Sequence, residues 1–588
     1  MKMYDARTVM EATTALGMRM LAPLMTAGLL WLAFPGGGGF WPLLFVALVP
    51  FLLVVMGPGR AWQGCSSFIP GASGRPSMAD AGMCGLLTGL FHFLLLLYWI
   101  VIVLGRYGGL PPYLSVPALL LLALYMSLYL GIFALITRLF SVRFPLRVAL
   151  WIIPCLWVAL DWCRSFLFTG FPWMDPGYAL AHVPWLIQSA DLWGHYGLTY
   201  LVVLINTMVA TLFLSGTQKR GQRALVVPVV LLCGGVALYS FLRWQHLERQ
   251  MLVSETQRIG VVQGNIAQNQ KWSPGLQEEA LKNYIGQSWG LIERHHPLLV
   301  VWPETALPFY PVAHPLLQSV RDLAIAGQIA LLTGAPWVEG TMGSGDGGGD
   351  GQGRPNAARA RDAGQGGPSV ARAMDGGRAT GGSGQEVVRY YNNALLFDGS
   401  GQITDSYSKS HLVPFGEYVP LKKLLPFLAP VVEAVGDFSP GSIEQALACH
   451  NARIGVLICF ESIFPEIARK WVEGNANVLV NLTNDAWYGR SSAPHHSLAM
   501  TVLRSVETRR SMVRAANTGF SGFIDPLGRV QVVSPLFESW AESAEVILME
   551  EKSWFVRWGY LFAPFCLGAV LLSLAWIVLR NPRSRSFS

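Results

Sequence analysis

Residues 83–105 read MCGLLTGLFHFLLLLYWIVIVLG and contain no Asp, Glu, Lys or Arg. A hydrocarbon core about 30 Å thick needs roughly 20 apolar residues in helical form, so this stretch predicts a membrane span. Working outward, seven further stretches have the same character: 16–34, 40–57, 113–137, 148–168, 198–215, 224–242 and 558–579. Spans 40–57 and 558–579 are equally free of charge, whereas Asp161 and Arg164 interrupt the second half of 148–168. One apolar run can be a buried core helix, but seven within the first 242 residues predict a polytopic bundle. The chain of 588 residues is 52% hydrophobic and 13% charged, against about 25% charged in soluble domains. That excludes a disordered chain and a single soluble globule.

The net charge of +7 invites a nucleic-acid reading. The basic residues lie at the ends of apolar runs instead, which favours an orientation signal and leaves no nucleic-acid partner. With the N-terminus inside, cytoplasmic segments carry Lys2 and Arg7, then Arg60 and Arg75, then Arg138, Arg143 and Arg147. Lys219, Arg220, Arg223, Arg580, Arg583 and Arg585 continue the series, and the outer loops carry little beyond Arg106 and Arg164. The expectation is a polytopic membrane protein of eight transmembrane helices with both termini cytoplasmic. Seven helices fill 1–242, an outer domain spans 243–557, the eighth helix is 558–579, and 580–588 is a basic tail. Six further spans follow the first before the outer domain, so it reads as a retained helix and not as a cleaved signal.

Within 243–557, short Val- and Ile-rich runs alternate with amphipathic segments. The runs are 258–263, 298–302, 329–333, 394–397, 453–458, 478–481 and 513–516, with a hairpin-like pair at 522–524 and 530–533. Such runs suit buried strands of an α/β domain. Residues 340–384 hold 16 Gly and few large apolar side chains, so they read as a disordered surface insertion. No Lys-Ser/Thr follows them, which argues against a phosphate loop.

Three runs end in polar residues. Leu-Val-Val-Trp-Pro leads into Glu304, Arg-Ile-Gly-Val-Leu-Ile into Cys459, Phe460 and Glu461, and Asn-Val-Leu-Val-Asn-Leu-Thr into Asn484, Asp485 and Trp487. Open α/β sheets place their sites just past the carboxyl ends of strands. A fourth element, YSKSHLVPFGEYVP at 407–420, brings Lys409 and Glu417. A thiolate attacks carbonyls, a carboxylate accepts the thiol proton, and an ammonium stabilises an oxyanion. Cys459, Glu304 and Lys409 supply these three groups. Spacing alone leaves their meeting open, because 50 to 105 residues separate them.

WPET at 302–305, the 407–420 segment and ICFES at 458–462 resemble the Glu, Lys and Cys motifs of the nitrilase (carbon–nitrogen hydrolase) superfamily. The whole arrangement is similar to the apolipoprotein N-acyltransferase family of Gram-negative bacteria. QGNI at 263–266, KW at 271–272, NLTNDAWYG at 481–489 and GFPW at 170–173 strengthen the likeness. The resemblance implies an αββα sandwich inserted into the helical bundle and facing the periplasm. It implies Glu304 as general base, Lys409 as oxyanion stabiliser and Cys459 as nucleophile. Glu417 matches a supporting glutamate and Glu461 a carboxylate beside the nucleophile. Trp173 and Trp272 match tryptophans of substrate access, and Asn265 belongs to a supporting motif. Phe460 stands where the family often has Tyr, so no role of that hydroxyl transfers. The implied partners are a phospholipid acyl donor, usually phosphatidylethanolamine, diacylglyceryl apolipoproteins as acceptors, and membrane lipids. No cofactor and no metal are implied.

Blander readings stand beside these. Glu417 and Glu461 can serve only to hold their loops, and Trp173 and Trp272 can be interfacial anchors. His495 and His496 lack partners at metal spacing. Cys449 reads as structural or free, and the 415–440 region as a mobile arm over the site. Two other functions remain: a membrane-tethered amidase or nitrilase with water as acceptor, and a lipid transporter or receptor with an inactive outer domain.

Overall fold

The computed structural model describes residues 6–57, 76–215, 219–268, 271, 274–312, 314–341, 387–418 and 438–580. Trp272, residues 419–437 of the expected arm and residues 581–588 lie outside them. Of the expected Gly-rich insertion, 340 and 341 finish a strand, and the remainder lies outside the described residues.

Six helices are long and apolar enough to cross a bilayer: Met78–Leu97, Pro112–Arg143, Leu146–Arg164, Ala190–Leu214, Gly221–Val253 and Phe562–Leu579. The two other expected spans are shorter apolar segments, Met20–Ala33 and Trp41–Met56. The second is not one continuous helix. It is a 3₁₀ turn, Trp41–Phe45, followed by an α-helix, Val49–Met56, each with a proline in its first turn. Proline offers no N–H and is tolerated where a helix starts, so Pro42 and Pro50 divide the run. The span expected to end at 242 continues as helix to Val253. Residues 243–253 contain no Gly or Pro, and Leu247 and Met251 bury against Leu527 and Met549.

Small residues set the tightest helix contact. A Cβ on Gly85 would meet the Gly131 Cα at 2.9 Å, and one on Gly89 the Ser127 Cα at 2.7 Å. The helices Met78–Leu97 and Pro112–Arg143 thus approach backbone to backbone, as membrane helices without a hydrophobic driving force do. Two arginines expected at loop ends are buried. Arg138 donates to the Met56 carbonyl at 2.7 Å, closing one of the acceptors a helix end leaves open. Arg164 bonds Asp161 at 3.0 Å and also pairs with Asp175, so both charges that interrupt the fifth span are paired inside the protein.

The remaining chain forms two six-stranded sheets. One has the order β12-β1-β2-β3-β4-β5: Trp540–Ile547, Thr256–Gln263, Leu299–Val301, Ala330–Thr341, Val387–Phe397 and Ile403–Ser408. The other runs β11-β10-β9-β8-β7-β6: Val530–Val533, Gly522–Ile524, Ser511–Ala516, Val478–Thr483, Ala452–Ile458 and Leu447–Cys449. Strands β1, β2 and β3 are parallel, as are β7, β8 and β9. Alternation sorts the faces. Val301, Leu332 and Leu396 join the core between the sheets. Val300, Leu331 and Leu395 face the helices Pro274–His295 and Leu317–Gly327. The helices Pro465–Glu473 and Ala493–Thr508 cover the second sheet. This is the αββα sandwich.

The sandwich and the bundle share a layer. Helix Ala493–Thr508 packs on β9 from one side and on Ala190–Leu214 from the other, and one apolar core runs through both. A buried polar seam reinforces the join: Glu507 accepts from the His195 N–H at 2.8 Å and from Arg504 at 3.1 Å, and Arg504 donates to Tyr178 at 3.0 Å.

Candidate active site

Each of the three expected residues follows a strand, buried in β2 and β7 and largely half-exposed in β5. Glu304 lies three residues past β2, Lys409 directly follows β5, and Cys459 directly follows β7. The runs that form β2 and β7 are buried, and their carboxyl ends lead into Glu304 and Cys459 inside the domain. Two turns there are strained. Thr305 has φ +47° and Cys459 φ +53°, a region costly for residues carrying a Cβ and frequent at functional sites.

Glu304 is 7% exposed. Its Oε1 accepts from Asn392 Nδ2 at 2.8 Å and lies 3.8 Å from Lys409 Nζ. Its Oε2 is buried without a hydrogen-bond partner among the described residues. Lys409, 1% exposed, donates to Glu417 Oε1 at 2.9 Å. Asn392 also reaches that oxygen, at 3.0 Å, and its carbonyl receives the Lys409 N–H at 2.9 Å. One asparagine in β4 therefore holds both glutamates and the lysine backbone. Glu417 Oε2 accepts the Val413 N–H at 2.8 Å.

The charges act on the thiol in opposite senses. Burial and the Glu304 carboxylate push the Cys459 thiol well above its ordinary range, against the pull of Lys409 and the Thr483 hydroxyl. Cys459 therefore rests as a thiol, and any attack by its sulfur needs a base. Burial alone pulls the Lys409 ammonium down, but Glu417, Glu304 and Cys459 outweigh it and keep it firmly charged.

Glu461 is fully buried and does not face the reacting atoms through any hydrogen bond given by the described residues. Its Oε1 receives Tyr407 Oη at 2.7 Å, the Ser410 N–H at 2.7 Å, Ser410 Oγ at 2.8 Å and the His411 N–H at 3.0 Å. Its Oε2 receives the Ile458 N–H at 2.8 Å. It ties the Lys409 loop to the Cys459 turn, the holding role weighed from sequence. Burial raises its pKa in spite of these donors. Glu461→Gln turns an NH₂ toward one of the N–H groups. It is expected to cost about 1–3 kcal/mol, the usual penalty of an unsatisfied buried polar group, read as a lower midpoint in thermal unfolding.

Phe460, 6% exposed, begins an aromatic row with Phe171 (6.3 Å between centroids) and Phe464 (5.1 Å). Phe171 stacks on Trp173 at 5.8 Å, and Trp173 meets Trp99 at 4.7 Å and donates to His496 Nδ1 at 3.2 Å. Trp173 is 1% exposed, so it is not a headgroup anchor; it sits where bundle and sandwich meet. Asn265 has φ +53° and donates to the Phe537 carbonyl at 3.1 Å. It shapes a turn, and no hydrogen bond among the described residues brings it to Glu304, Lys409 or Cys459. Trp272 lies outside the described residues.

Sequence reading missed Asn392 and Thr483. The available signal was polarity inside strands: Asn392-Asn393 interrupts β4, and Thr483 ends β8 with its hydroxyl on Asp485 at 3.0 Å. Asp485 is in turn paired with Arg514 at 2.9 Å.

A thiol, a carboxylate with one oxygen unpartnered among the described residues and a fixed ammonium, each just past the carboxyl end of a strand of an αββα sandwich, fit a carbon–nitrogen hydrolase-type domain, here carried on apolar helices. Residues 363–548 match the carbon-nitrogen hydrolase family, and residues 26–208 match the apolipoprotein N-acyltransferase N-terminal domain. The apolipoprotein N-acyltransferase of Geobacter metallireducens is 36% identical over 564 residues, 95% of each chain. Those of Gloeobacter violaceus and Methylococcus capsulatus are 30% and 28% identical, covering 93% and 82% of this chain and 91% and 85% of theirs. The chain belongs to the apolipoprotein N-acyltransferase family.

Proposed function

We propose that the chain transfers a fatty acyl group from a membrane phospholipid to the α-amino group of diacylglyceryl-cysteine at the N-terminus of lipoproteins. The observation that carries this reading is the meeting of Glu304, Lys409 and Cys459 in a domain fused through a shared core to apolar helices. In the first step Cys459 Sγ attacks the ester carbonyl while Glu304 Oε2 takes the thiol proton. Lys409 stabilises the oxyanion. The tetrahedral intermediate expels a lysophospholipid alkoxide, which receives the proton from Glu304, and a thioester remains. In the second step the acceptor amine attacks the thioester, Glu304 takes its proton, and Cys459 leaves and is reprotonated.

Asn392, Glu417 and Glu461 position this machinery, and the row from Phe460 to Trp173 lies on the side toward the bundle, where acyl chains arrive. Drawing those chains into water would cost about 0.8 kcal/mol per CH₂, and a site fused to the bundle avoids that cost. Phosphatidylethanolamine is the donor in this reading. Eight spans carry the chain, with both termini cytoplasmic and the domain 243–557 periplasmic; the pattern of basic loop residues supports that orientation.

Intact-protein mass spectrometry after incubation with phospholipid tests the reading. The wild type is expected to gain a hydroxylamine-sensitive fatty-acyl adduct that Cys459→Ala lacks. A diacylglyceryl-cysteine peptide then discharges it faster than water. Discharge by water alone would establish a hydrolase, and no adduct on folded protein would refute the acyl-enzyme.

A further inference from the structure

A second buried lysine lies in the site. Lys271, 1% exposed, belongs to the segment that follows β1 and bonds to residues just past β8 and β9 of the second sheet. Asn517 anchors that segment: its side chain accepts the Ile266 N–H at 2.9 Å and donates to the Ile266 carbonyl at 2.7 Å. Asn484 adds a bond to Gln268 at 2.6 Å. The Lys271 N–H returns to the Ala267 carbonyl at 3.2 Å, closing a turn. The ammonium so delivered donates to the Glu304 carbonyl at 3.1 Å and to Thr305 Oγ1 at 2.8 Å. These two residues form the turn that carries Glu304 Oε2, unpartnered among the described residues, and Thr305, β-branched, holds φ +47° there. Such a conformation persists only where surrounding contacts enforce it.

We infer that Lys271 is a positioning residue for Glu304: its ammonium pins the strained Glu304–Thr305 turn and adds a second positive charge to the field at Cys459. This assignment rests on the reading of Glu304 as the base. The titratable groups acting on Lys271 are Glu304, which follows β2, and Cys459, which follows β7 and adds its charge only as a thiolate. Burial outweighs both and lowers its pKa to about 8, so the ammonium is held below that pH and is lost as pH rises through it. A positioning cation of this kind gives the wild-type acylation rate a falling limb above about pH 8.

The test has two readouts on the full-length protein. The first is alkylation of Cys459 by iodoacetamide as a function of pH, which needs no lipid. Lys271→Met is expected to slow alkylation below about pH 8, where the wild-type ammonium is charged and favours the thiolate, and to converge with the wild-type curve above it. The second is single-turnover thioester formation from phospholipid. Lys271→Met is expected to lower its maximal rate about 10²-fold, the effect of a misplaced catalytic group, with half-saturation by donor unchanged and the falling limb abolished. Thr305→Ala, which removes one acceptor and little volume, is expected to lower the rate in the same direction if Lys271→Met does not fold. A Lys271→Met protein with the wild-type alkylation curve and rate would overturn the assignment. So would a change confined to half-saturation, which belongs to a substrate-binding residue. Alkylation slowed below about pH 8 in a protein that never forms a lipid thioester would sink the acyltransferase reading and leave the Lys271 assignment standing.

Discussion

Glu304→Gln is expected to slow acyl-enzyme formation by about 10³-fold at neutral pH, within the range general-base catalysis supplies. The substitution keeps volume and the contact with Asn392, which holds Oε1 at 2.8 Å. It removes Oε2, which has no partner among the described residues and takes the thiol proton in the proposed mechanism. It also removes a negative charge that raises the thiol pKa. The variant must therefore reach its thiolate by titration, with a pKa lower than the wild type's yet still raised by burial. Its residual rate is expected to climb about tenfold per pH unit between about pH 6 and about pH 8, where the wild type is nearly flat. Single-turnover mass spectrometry across that range checks this, and a pH-independent residual rate would show that another group serves as base.

Lys409→Met is expected to cost at least about 10³-fold in acylation, because a fixed charge aimed at an oxyanion in a low-dielectric site has no substitute in solvent. It should also destabilise the fold. Lys409 is 1% exposed and neutralises Glu417 at 2.9 Å and Glu304 at 3.8 Å. Removing one partner of a buried ion pair typically costs about 3–5 kcal/mol. The two effects separate in the double variant Lys409→Met, Glu417→Gln, which removes one stranded carboxylate. Thermal unfolding is expected to recover in part while the thioester stays absent. Recovery of activity would show that Lys409 acts only by neutralising Glu417.

What was legible in the sequence follows burial. Strands β2, β7 and β8 are buried at almost every residue and read as short runs rich in Val, Leu and Ile, and the carboxyl ends of β2 and β7 displayed Glu304 and Cys459. Strand β12 is WAESAEVI, largely half-exposed, and β5 is ITDSYS; polar edge strands carry no such run, and neither was foreseen. The three residues of β6 are too few to give a period. Asn392 was hidden for another reason. Its importance comes from pairing β4 with both β3 and β5, and local sequence does not state which strands become neighbours. Lys271 looked like part of a motif, and only the bonds of its segment to residues just past β8 and β9 reveal the turn it holds. The helix end at Val253 was missed because its last turns are amphipathic, answering to Leu527 and Met549 rather than to lipid.

The shared helix Ala493–Thr508 has a consequence for how this enzyme can be handled. Its residues are almost all buried, between β9 on one side and membrane helix on the other. Cutting the chain at the domain limits would strip one wall from a continuous interior and bare Arg504 and Glu507 together with their apolar neighbours. Removal of the anchor is therefore not a neutral trimming. The excised catalytic half would be an incomplete fold with an adhesive face, and functional preparations have to keep the whole chain in detergent or lipid.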